Sequence, residues 1–70
     1  MKYPKYIITG DGHIGTFNHV DPGIIPIYRF DGGDRMACEN EMIKGTDSRE
    51  EIEAKSRVIM KARRNHEHRQ

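Results

Sequence analysis

Residues Tyr6 to Gly15 read YIITGDGHIG, an apolar run leading into glycines at Gly10, Gly12 and Gly15. This is the G-x-G-x-x-G spacing of a dinucleotide-binding loop, whose glycines let the backbone approach a pyrophosphate held at a helix N-terminus. The chemistry needs more than glycines: a helix opening at the third one, a parallel strand after it, and an acidic residue about 20 residues on to hold the ribose. Here Gly15 is followed by TFNHVDPG. Thr16, Phe17 and Val20 favour a strand, and Pro22-Gly23 ends it before any crossover of a dozen residues could form. Asp31 and Asp34 fall at tolerable distances, but inside a glycine hairpin. The stretch therefore predicts a turn between strands, its glycines supplying positive φ, and no nucleotide cofactor.

Other ligand types are present without the spacing that would assemble them. His13, His19, Asp11, Asp21 and Cys38 offer nitrogen, carboxylate and sulfur donors of the kind zinc accepts. The glycine-rich part has no Cys-x-x-Cys or His-x3-His, and His66 and His68 stand at i, i+2 in a polar tail. Cys38 with His13 or His19 could form a nucleophile–base pair, but a lone cysteine in a small domain is more often a small apolar side chain. Asp31-Gly-Gly-Asp34 lacks the further oxygens and closing glutamate of a calcium loop. No residue is accordingly assigned a catalytic, cofactor-binding or metal-binding role. A small metal- or cysteine-dependent enzyme stands as the third functional alternative.

The composition changes near Thr46: all seven glycines and all three prolines lie before it. Lys5–Thr9 reads as a strand, Gly10–Gly15 as a turn, and Thr16–Val20 as the returning strand, ended by Asp21-Pro22-Gly23. Ile24–Phe30 is a third strand whose first half Pro26 restricts to an edge or irregular position. Asp31-Gly32-Gly33 makes a hairpin connection to a fourth strand, Asp34–Cys38. Glu39–Lys44 predicts a helical turn capped by a left-handed Gly45.

The last element carries the most concordant cues. Ser48 and Glu51 match the capping box, in which each side chain satisfies a free backbone N–H. Glu50, Glu51 and Glu53 complement the positive end of the helix dipole, and Lys61, Arg63 and Arg64 the negative end. Ile52, Ala54, Val58, Ile59 and Ala62 share one broad face, with Glu53, Arg57 and Lys61 opposite at i, i+4 spacing. A helix over Arg49–Arg64 follows, stopped by Asn65. The expected architecture is α+β: a small antiparallel sheet of three or four strands with one amphipathic C-terminal helix packed on it. Residues 1–64 form the single domain and residues 65–70 a polar, flexible tail. Tyr6, Ile8, Phe17, Tyr28, Phe30, Met36, Ile52, Val58 and Ile59 are the expected core.

The chain contains no leucine or tryptophan. A 70-residue chain buries only about 60% of the surface it exposes when unfolded. So thin a core invites self-association, and a homodimer through a sheet edge or an exposed apolar face is expected. A single cysteine, no secretory leader and no apolar stretch of membrane-spanning length point to a reducing cytoplasm and no membrane.

Charge is distributed unevenly. Residues 1–53 hold six basic and ten acidic residues, a net of −4, whereas residues 54–70 hold six basic residues against Glu67, a net of +5, together the chain's +1. Lys61, Arg63, Arg64 and Arg69 are therefore the candidate partner-binding residues. With no catalytic set, the expected function is a non-enzymatic protein-binding module, a regulator or inhibitor of a larger cytosolic protein. The alternative is nucleic-acid binding through the basic helix end, although no aromatic residues interleave the charges as a stacking platform.

Overall fold

The computed structural model describes residues 3–68, with side chains as far as Asn65. Its elements are β1 (Tyr6–Ile8), β2 (Ile14–Asp21), β3 (Ile25–Phe30), β4 (Gly33–Met36), α1 (Glu39–Ile43) and α2 (Arg49–His68). The strands form one antiparallel sheet in the order β1-β2-β3-β4, so the fold is α+β, a meander with a C-terminal helix. Three-residue β1 is the strand most deeply enclosed, for alternate side chains leave a strand on opposite faces and here both faces are covered. Tyr6 and Ile8 pack with Ile52 of α2, joined by the half-buried Ile14 and Ile59. On the other face Ile7 and Tyr28 are each 0% exposed. α1 also lies against β1. Its Glu41 pairs with Arg35, the β4 residue opposite Tyr28, which places α1 on the Ile7–Tyr28 face.

The free edge of β1 is closed by the segment entering α2. Tyr6 and Thr46 exchange backbone hydrogen bonds of 2.9 Å in each direction, and the Lys5 N–H donates to Asp47 Oδ1 at 2.8 Å. The α2 cap is built from the same residues. Ser48 Oγ accepts the Glu51 N–H at 3.2 Å, as the capping box predicts. The return arm is relayed: the Ser48 N–H donates to Thr46 Oγ1, whose hydroxyl donates to Glu51 Oε1 at 2.6 Å. One threonine thus serves both a strand edge and a helix start.

On the Ile7–Tyr28 face the aromatic residues form a chain. Tyr3 stacks on Phe17, Phe17 meets Tyr28 edge to face at a centroid distance of 5.5 Å, and the Tyr28 hydroxyl donates to the Pro4 carbonyl. Burial pushes the Tyr28 phenol up to about 12, with Asp47 and then Tyr3 adding to the shift. Gly15 faces the Phe30 ring so closely that a Cβ would lie 2.4 Å from it. Gly15 is therefore required by packing, whereas positive φ is found at Gly12 (+92°) and Gly33 (+124°).

Several sequence-based expectations are corrected. Met36 is 57% exposed and Val58 68% exposed, so neither belongs to the core, while Ile7 was missing from it. Both outcomes follow from where α2 sits. It lies against β1 and β2, leaving the same face of β4 open, and it is oriented by Ile52, Ser56 and Ile59. Val58 is about 200° round the helix from Ser56 and points away, and Ala54 and Ala62 are exposed with it. Gly45 does not adopt a left-handed conformation; its missing Cβ makes room for Pro4 and the Tyr6 carbonyl, which a methyl would approach to 2.6 and 2.7 Å.

Pro26 sits in an interior strand after all. Its carbonyl accepts from Ala37, so its N–H-less side faces β4 just beyond the end of the register, which starts at Ile27↔Met36. Glu53 pairs backwards with Arg49 at 2.9 Å and not with Arg57. The last helix also continues past Arg64 to His68, since no glycine or proline follows and a single Asn65 costs a helix only about 0.7 kcal/mol. Of the expected tail, residues 65–68 are thus helical, and 69–70 lie outside the described residues.

Two measurements test this packing. Gly15→Ala should lower the unfolding free energy by about 1–3 kcal/mol through overpacking against Phe30. Gly10→Ala, where a Cβ would meet nothing within 4 Å, should leave the denaturation midpoint unchanged or slightly raised. The raised Tyr28 pKa means that the fold favours the neutral phenol, so this contribution is complete below pH 10 and is lost as pH rises towards about 12. Across that window wild type should lose stability more steeply than Tyr28→Phe; parallel profiles would remove Tyr28 as the source.

Candidate functional site

Antiparallel meander topology brings the β1–β2 and β3–β4 connections to one end of the sheet, with the β2–β3 connection at the other. At the first end the two glycine-bearing loops bound an open cleft of about 690 Å³, lined by residues including Thr9, Asp11, His13, Phe30, Asp31 and Glu41. Three of the carboxylates that line it are already engaged. Asp11 pairs with Arg63 of α2 at 3.3 Å. Asp34 accepts from Arg29 at 3.2 Å and from the bulged Asn18 at 2.8 Å. Glu41 pairs with Arg35 at 2.9 Å and accepts the Cys38 N–H at the start of α1. Arg35 also stacks over the Phe30 ring, 4.4 Å from its centroid.

The GDGH loop is tied down from within. The Thr9 N–H donates to the His13 carbonyl at 2.9 Å, the Gly12 N–H to the Thr9 carbonyl at 3.0 Å, and the His13 N–H to Thr9 Oγ1 at 3.0 Å. An anion-binding loop must present such N–H groups outwards, and here they are spent on the turn itself. Strand β2 starts at Ile14, so a hairpin connection stands where the dinucleotide fingerprint requires a strand-to-helix turn. The loop is then fastened to α2: Ser56 Oγ donates to the buried Gly12 carbonyl at 2.6 Å, and a Cβ on Gly12 would meet Met60 at 2.9 Å. Ser56 was absent from the expected functional set. Its signal was legible, since it is a polar residue at i+4 from Ile52 and i−3 from Ile59, in the middle of an apolar stripe.

The potential ligands are dispersed. Asp11 and His13 stand at the cleft end, whereas His19 and Asp21 lie towards the far end of β2, where His19 pairs with Ile27 and Asp21 with Ile25. Cys38 is exposed and lines a separate hollow between α1 and the β1–β2 loop, together with Gly10 and Glu41. Among the described residues no three His, Cys, Asp or Glu side chains converge to hold a metal ion. Of the basic candidates, Lys61 and Arg64 are exposed, Arg63 is engaged by Asp11, and Arg69 lies outside the described residues. No helix of the described residues is long and apolar enough to cross a membrane.

The β2–β3 end has a different character. Val20 and Ile24 are exposed there, Ile24 to 73%, and Ile24 has φ +62°. The Ile24 N–H closes the turn on the Asp21 carbonyl at 2.7 Å. A β-branched residue in the left-handed region is a genuine outlier. The sequence points instead to Gly23 as the residue suited to that conformation. No protein-family model, no curated protein and no solved structure matches this chain.

The two fastenings of the GDGH loop differ in weight. Ser56→Ala leaves a buried carbonyl without its donor and should cost about 1–3 kcal/mol in chemical denaturation. Arg63→Gln breaks an ion pair whose side chains are both more than half exposed and should cost at most about 1 kcal/mol. Equal losses in the two variants would contradict this assignment.

Proposed function

We propose that this protein is a non-enzymatic protein-binding module of the cytoplasm, a homodimer that regulates or inhibits a larger protein through apolar side chains its own fold leaves outside. The observation that carries this reading is Ile24, 73% exposed at φ +62° on the tip of the β2–β3 hairpin. A left-handed conformation costs a residue with a Cβ roughly 1–2 kcal/mol. With only five apolar side chains buried among the described residues, such strain at an exposed site fits a residue whose return comes from contact with another molecule. Val20 extends the apolar tip, and Pro22 limits its flexibility, which lowers the ordering cost of binding. Six large apolar side chains are exposed among the described residues, one more than the number buried.

A second reading, nucleic-acid binding, draws on one observation. Arg57, Lys61 and Arg64 follow one another at i, i+4 and i+7, are all exposed, and form no ion pair among the described residues. Phosphate contacts made by such a stripe would give an affinity that falls steeply with salt.

Affinity capture from the native host, with nuclease-treated and untreated lysate, compares wild type with Ile24→Asn. Asparagine tolerates the left-handed conformation, so the variant should keep its stability or gain up to about 1 kcal/mol. A protein retained by wild type after nuclease treatment and lost with Ile24→Asn is the expected result. Equal recovery by both baits would remove the hairpin tip as the contact. Recovery abolished by nuclease and by salt would favour the second reading.

A further inference from the structure

We draw no further inference here: the strongest candidate, the basic stripe of Arg57, Lys61 and Arg64 along the exposed outer face of α2, belongs to the nucleic-acid reading already given, and nothing in the structure shows what covers that face.

Discussion

The structure depends on enclosing β1 from three directions. Its three residues are an apolar run, Tyr6-Ile7-Ile8, and such a run suits a strand only if both faces are covered. α2 covers Tyr6 and Ile8, the α1 side of the sheet covers Ile7, and Thr46 pairs the outer edge. The path of the chain after β4 follows from this. It must cross one face as α1, return along the edge of β1, and then place α2 on the opposite face. Glycine at position 45 permits that return, because Pro4 and the Tyr6 carbonyl occupy the space of a side chain.

With so few buried apolar groups, polar contacts set the geometry. The Ser56–Gly12 bond fixes the rotation of α2, and therefore decides that Ile52 and Ile59 turn inwards while Val58 turns out. Thr46 couples strand edge to helix cap, and the Tyr28 hydroxyl holds the Pro4 segment against the sheet. No buried side-chain nitrogen or oxygen among the described residues lacks a partner. In a low-dielectric interior a satisfied polar group specifies one arrangement, because leaving it unpaired is costly.

The same economy shapes the surfaces available for function. Carboxylates around the cleft are spent on Arg29, Arg35 and Arg63, so the cleft is built largely of groups that hold the fold. The less committed feature lies elsewhere, in the strained apolar tip at Ile24.

The sequence by itself determined the element order, the hairpin nature of the glycine loop and the start of α2. These are local matters, decided by β-branched runs, glycine and proline placement, and the Ser48–Glu51 pair. Only tertiary structure decided which part of the apolar face of α2 would be buried: Ile52 and Ile59 meet β1, and Ser56 between them bonds to Gly12, 44 positions away, while Val58 is left outside. It also decided why two of the glycines are there: Gly15 answers to Phe30 and Gly45 to Pro4, contacts that no local pattern encodes. The basic cluster was legible as composition, but its division was not. Arg63 is held by Asp11 because the first hairpin docks beside that turn of the helix, and Lys61 and Arg64, about 200° and 100° round the helix from it, are left exposed.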